Sequence, residues 1–197
     1  MTTSNHRPFT YPSGKIDILS GTSREGAVKY TDFALRELFR KASQKPWFKN
    51  TVFVIIADHC ASSAGKDEID VANYHIPALI VNLPEQYNQK ITRQCSQIDL
   101  WPTLFSIFKW NYESDFFGKN VLDPKFEERA LMGTYRKLVL MKKEKVMILS
   151  DQKKQAFYSW NKEDNSLKSI PMNQPFLEET IAWYQTADYL FTNKLLK

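Results

Sequence analysis

The most constraining stretch of this chain is Thr51-Val52-Phe53-Val54-Ile55-Ile56-Ala57, which runs without a break into Asp58-His59. It is a continuous β-branched and aromatic run with no polar alternation, so it reads as a strand buried on both faces. Such strands belong to parallel α/β sheets with helices on each side. The run is far too short to cross a bilayer. In open α/β sheets, ligands bind beyond the carboxyl ends of the strands, where Asp58 and His59 emerge. One carboxylate oxygen and one imidazole nitrogen are two donors of borderline hardness, suited to Zn²⁺ or Mn²⁺. The competing account makes Asp58 the cap of the next turn and His59 an exposed side chain, since strand ends commonly carry capping acids.

The neighbouring segments fit one half of a doubly wound sheet. Residues 1–23 are rich in Thr, Ser, Asn, Pro and Gly and read as loop. Thr22 followed by Glu25 is a capping-box pattern, and Ala27, Tyr30, Phe33, Ala34, Leu35, Leu38, Phe39 and Ala42 recur at helical spacing. They predict a helix over residues 24–43, stopped by Pro46. Ile76-Pro77-Ala78-Leu79-Ile80-Val81 is a second strand, with Pro77 tolerated at its entry. A helix is expected over residues 95–109, with Asp99 near its first turn and Pro102 inside it. After about residue 124 the texture changes to short β-rich runs at 130–135, 137–141, 145–149 and 155–160, which predict a four-stranded antiparallel meander. An amphipathic helix over residues 176–190 closes the chain. The division expected is therefore 1–125 for the α/β part and 126–197 for an antiparallel β-sheet subdomain with its C-terminal helix.

Only three histidines occur, and the two besides His59 also sit in distinctive contexts. His6 and Arg7 lie in Ser4-Asn5-His6-Arg7-Pro8-Phe9, where imidazole and guanidinium can hold phosphate or sulfate through charge-assisted hydrogen bonds. A disordered terminus explains the same composition. His75, in Tyr74-His75-Ile76-Pro77, enters the second strand and taken alone reads as a structural histidine. The loop Cys60-Ala61-Ser62-Ser63-Ala64-Gly65-Lys66 is small enough for backbone N–H groups to approach an oxyanion, but it lacks phosphate-loop spacing. Cys60 is a conceivable soft ligand, more often a buried filler. With Cys95 it makes two cysteines, too few to define a redox compartment. The net charge of +5 comes from lysines interleaved with acids, as in Lys142-Lys143-Glu144-Lys145, and not from a stripe. That texture, with no RNA-recognition motif, disfavours a nucleic-acid binder.

Taken together and in order, Ser4-Asn5-His6-Arg7-Pro8-Phe9, the helix with Ala27-Val28-Lys29-Tyr30-Thr31-Asp32, Val52 to His59, Tyr74-His75-Ile76-Pro77 and Gln97-Ile98-Asp99-Leu100-Trp101-Pro102-Thr103-Leu104 resemble the C-terminal half of the alkaline phosphatase and sulfatase superfamily. Within it they look most like the lipoteichoic acid synthase and phosphoglycerol transferase branch of bacterial envelope enzymes. The resemblance covers residues 1–125 with recognisable motifs, and the β-rich tail agrees in layout.

The resemblance implies an alkaline phosphatase-like doubly wound sheet in which Asp58 and His59 bind one divalent ion, Mn²⁺ or Zn²⁺, with Mg²⁺ or Ca²⁺ as further options. It makes His6 a contact to the substrate phosphate, with Arg7 beside it, and His75 a residue near the phosphate or a second metal. Such enzymes work through a covalent intermediate on a Thr, or on a modified Cys or Ser in sulfatases. That nucleophile, an acidic ligand and the membrane helices have no counterpart here, and Thr2, Thr3 and Thr22 lie in the wrong motifs to replace the nucleophile.

The chain is thus expected to be part of a larger enzyme at the periplasmic face of the bacterial inner membrane, acting on phosphoglycerol-bearing lipid or glycan and inert by itself. Its partners would be the N-terminal half of the catalytic domain and the membrane helices. A sulfatase, phosphodiesterase or phosphoethanolamine transferase shares the Asp-His pair, and a non-catalytic module that keeps the fold is the alternative of a different class. A strand apolar on both faces, without the rest of its sheet, predicts self-association of the isolated chain.

Overall fold

The computed structural model describes residues 3–59 and 69–196. The first helix, α1 (Arg24–Ala42), begins at Ser23, whose side chain accepts from the Gly26 N–H at 3.1 Å. The cap is therefore one residue later than the Thr22–Glu25 pattern suggests, because the Thr22 hydroxyl donates instead to the Leu19 carbonyl. A 3₁₀ turn at Pro46–Asn50 leads into β1 (Phe53–Ile56), which pairs with β2 (Ala78–Val81) in a two-stranded sheet. Residues 51–57 are all half-buried and Leu79 is 57% exposed, so the expectation of a strand buried on both faces is not met. Among the described residues the strand has one neighbour, and part of its apolar surface stays in contact with solvent.

The chain divides into two compact units, Met1–Ile55 with Leu79–Asn88, and Ile56–Ala78 with Gln89–Lys197. In the first unit Phe53 collects the rings of Phe39, Trp47 and Phe48 at 5.0–6.4 Å between centroids. Tyr11 stacks on Tyr30 of α1 at 5.0 Å, and its hydroxyl lies over Gly26, where a Cβ would clash with it.

The second unit is built on a five-stranded antiparallel meander. Its strands are β3 (Ala130–Gly133), β4 (Lys137–Lys142), β5 (Lys145–Ser150), β6 (Gln155–Asn161) and β7 (Ser166–Ser169). The register pairs Val139 with Ile148 and Val146 with Tyr158, and the β4–β5 turn places Lys143 and Glu144 both at positive φ, as a tight two-residue hairpin requires. The sheet has a fifth strand where four were expected. β7 reads Ser166-Leu167-Lys168-Ser169, and with Leu167 its one apolar residue it carries almost none of the hydrophobic signal that marks a strand.

Both faces of the meander are covered, which explains why β4 and β5 read as unbroken apolar runs. On one face Met132, Val139, Met141, Val146 and Ile148 pack with Ile69 and Val71. On the other, Met147 and Phe157 pack with Leu177 of the last helix, α3 (Gln174–Thr192). α3 starts at Asn173, which accepts from the Phe176 N–H at 2.9 Å, and is longer at both ends than its hydrophobic periodicity indicates.

The helix expected over 95–109 is shorter. A 3₁₀ turn at Gln97–Asp99, with Ser96 and Asp99 forming a reciprocal capping box, precedes α2 (Leu100–Ile107). Positive φ at Lys109 marks the chain's departure from the helix. Among the described residues, no helix is long and apolar enough to cross a membrane.

The Tyr184 hydroxyl of α3 fastens the helix to the sheet. It donates to the Val139 carbonyl at 2.7 Å, accepts from the Val139 N–H at 3.1 Å and lies 3.0 Å from the Met132 carbonyl. Burial pushes its pKa up from 10.0 to about 12, against the lowering effect of those backbone groups. A phenol whose pKa is raised on folding contributes its full stability below the unfolded value, and loses it as pH rises from about 10 toward 12. That rise corresponds to roughly 2–3 kcal/mol. Urea unfolding across that window should show the wild type losing more stability than Tyr184→Phe by about this amount; parallel losses would contradict the assignment.

Candidate functional site

Asp58 and His59 follow β1 directly, and both side chains are 64% exposed. The Asp58 carboxylate accepts the His59 backbone N–H at 3.0 Å, and its Oδ1 lies 3.8 Å from His59 Nε2. One oxygen anion and one imidazole therefore stand side by side, open to solvent.

The backbone beneath them is held from two directions. The Ala57 N–H donates to the Pro77 carbonyl at 3.2 Å. The Gln97 side chain reaches across from its 3₁₀ turn and donates through Nε2 to the Ala57 and Asp58 carbonyls at 2.8 and 2.9 Å. Gln97 was visible in the sequence as part of the Gln97-Ile98-Asp99 motif, but nothing local shows that an amide there would grip a strand end some forty residues earlier.

His75 closes the 3₁₀ turn Val71–Tyr74, where its N–H donates to the Ala72 carbonyl at 3.1 Å, and the residue is exposed. The Ala57–Pro77 hydrogen bond lies one residue before Asp58 and two residues after His75. His6 and Arg7 belong to the first unit. Their segment folds into turns, with the His6 N–H on the Thr3 carbonyl at 3.1 Å and the Phe9 N–H on the His6 carbonyl at 2.7 Å. The buried Ser4 hydroxyl, 3.3 Å from that of Thr31, anchors this segment to α1.

Cys60 and the small-residue loop considered as an oxyanion cradle lie outside the described residues. Among the described residues, no group of three or more His, Cys, Asp and Glu side chains is placed to hold a metal ion. Asp58 and His59 alone supply two donors of the right chemistry for Zn²⁺ or Mn²⁺, half of a four-coordinate shell.

Residues 1–110 match the family model described as Sulfatase. The fold is similar to the crystal structure of a protein in the alkaline phosphatase superfamily from Vibrio parahaemolyticus, with a TM-score of 0.88 and 29% sequence identity over 98% of this chain. This chain spans about half of that protein, 48% of its length. The match extends over more than half of the sequence and includes the strand that ends in Asp58 and His59, and the chain belongs to the Sulfatase family.

Proposed function

We propose that this chain is the C-terminal portion of a metal-dependent phosphoglycerol transferase of the lipoteichoic acid synthase type, carrying two metal ligands and part of the phosphate site. The observation that carries this reading is the exposed Asp58–His59 pair at the end of β1, its backbone clamped by Gln97, in a chain of the Sulfatase family. Half coverage of a related protein supports a larger parent enzyme, in which the nucleophile and the remaining ligands are supplied by the other half.

Asp58 and His59 would hold one divalent ion, Mn²⁺ or Zn²⁺, through a carboxylate oxygen and an imidazole nitrogen. When bound, such an ion activates an attacking oxygen and polarises the substrate oxygen. In this reading His6 and Arg7, in the first unit, would each donate to a phosphate-type anion, and His75, in the second unit, would be a donor of the same kind. The substrate of this reading is a phosphoglycerol-bearing lipid or glycan at the periplasmic face of the inner membrane. The Sulfatase family match favours a sulfuryl ester as the second reading, and a panel of phosphodiester and sulfate ester substrates on the parent enzyme separates the two.

With bis-(p-nitrophenyl) phosphate and Mn²⁺ or Zn²⁺, the parent enzyme should lose at least about 100-fold in turnover on either Asp58→Ala or His59→Ala, since loss of a ligand exceeds the cost of losing an outer contact. The 197-residue chain alone should be inert. Hydrolysis by the chain alone that Asp58→Ala abolishes would show that the nucleophile is present after all. Gln97→Leu removes two hydrogen bonds without touching the donors, so metal affinity of the parent enzyme, measured by calorimetry, should fall roughly 10- to 100-fold. Unchanged affinity would remove Gln97 from the account.

A further inference from the structure

The segment that ends in His75 is not held by its own turn alone. Ile69 and Val71 are buried in the core of the meander, which fixes where the segment starts. Its last residues are set by polar contacts from the far end of the same sheet. Asn165, in the β6–β7 turn, accepts the Ala72 N–H at 3.1 Å and the Trp160 Nε1–H at 2.9 Å on one oxygen. Its amide nitrogen donates to Asp70 Oδ1 at 2.7 Å. Asp70 passes the constraint on, since its other oxygen accepts from Asn73 Nδ2 at 2.8 Å. One residue before His75, the Tyr74 hydroxyl donates to the Gly133 carbonyl of β3 at 2.9 Å.

We propose that Asn165 is a positioning residue that sets where His75 stands, making the antiparallel sheet part of the anion-binding machinery. The proposal rests on the reading of His75 as an anion contact. Apolar burial of Ile69 and Val71 is enough to keep the segment on the sheet, but it tolerates sliding and rotation. A directional network joining Asn165, Asp70 and Asn73 does not, because each displaced group leaves a donor or acceptor unmatched. Asn165 is also suited to its backbone: φ is +57°, the left-handed region in which Asn and Gly are favoured.

That backbone allows a clean test. Asn165→Gly keeps the turn conformation and deletes the side chain. Asn165→Asp sets a second carboxylate against Asp70, and the pair Asp70→Asn with Asn165→Asp restores a donor and an acceptor in reversed order. In the 197-residue chain, the imidazole ¹H–¹³C signal of His75 should move in both single variants and return in the double variant, while the His6 signal stays in place. In the parent enzyme, kcat/KM for bis-(p-nitrophenyl) phosphate should fall about 10- to 100-fold in the single variants, as for a misplaced contact. The double variant should recover it, with thermal midpoints failing to follow the same order.

A His75 signal that stays put while the Ala72 and Asp70 amide signals shift overturns the proposal, as does an Asn165→Asp defect that Asp70→Asn leaves unrepaired. A His75 signal displaced and rescued as expected, with kinetics unchanged throughout, upholds the positioning role and instead overturns the assignment of His75 to the anion.

Discussion

The second unit depends on the ion pair between Asp99 and Arg129. The two side chains are 1% and 4% exposed and meet through two parallel hydrogen bonds, Nη1 to Oδ2 at 2.9 Å and Nη2 to Oδ1 at 2.8 Å. A buried pair repays its desolvation only when its remaining hydrogen-bonding capacity is met. Here the Asp99 carboxylate also accepts the Ser96 N–H at 2.9 Å and the Lys119 N–H at 2.8 Å. The Arg129 guanidinium lies over the rings of Trp183 and Phe126 at 4.9 and 5.5 Å. Gly118 lets the chain pass against Ile98, where a Cβ would run into the backbone carbonyl. One interaction thereby joins the turn before α2, the start of β3 and the middle of α3.

From that junction the constraint reaches the candidate site along β3. The Leu131 N–H of β3 donates to the Ser96 hydroxyl at 2.9 Å, fixing the turn from which Gln97 extends to the Asp58 carbonyl. Two residues on, the Gly133 carbonyl receives the Tyr74 hydroxyl beside His75. Asp58 and His75 are thus both referred to a single strand whose position the buried pair sets. This gives the antiparallel sheet a role that its sequence, a run of short apolar strands, does not suggest.

What the sequence revealed follows from the range of the interactions involved. α1, the strand before Asp58-His59 and the antiparallel meander and closing helix of the tail are written in local periodicity and were legible. The fifth strand was not, because β7 is polar except at Leu167 and is recruited by pairing with β6. Asp99 reads as a first-turn acid of a helix over 95–109. It is in fact turned inward to a partner thirty residues later, and the α-helix begins only at Leu100. Gln97 and Asn165 act over separations of 39 and 93 residues, and no pattern within a window of a helix or strand marks an amide for such a role. The apolar run at 51–57 promised burial on both faces, while the two-stranded sheet leaves it half-buried.

The proposed function requires that Asp58 and His59 together ligate a divalent ion. Anomalous diffraction at the manganese edge, from crystals of the proposed parent enzyme grown with Mn²⁺, decides between the alternatives. A peak is expected about 2.0–2.3 Å from both an Asp58 carboxylate oxygen and a His59 ring nitrogen, lost in Asp58→Ala. A peak on other residues, with Asp58 and His59 left facing solvent, would contradict it.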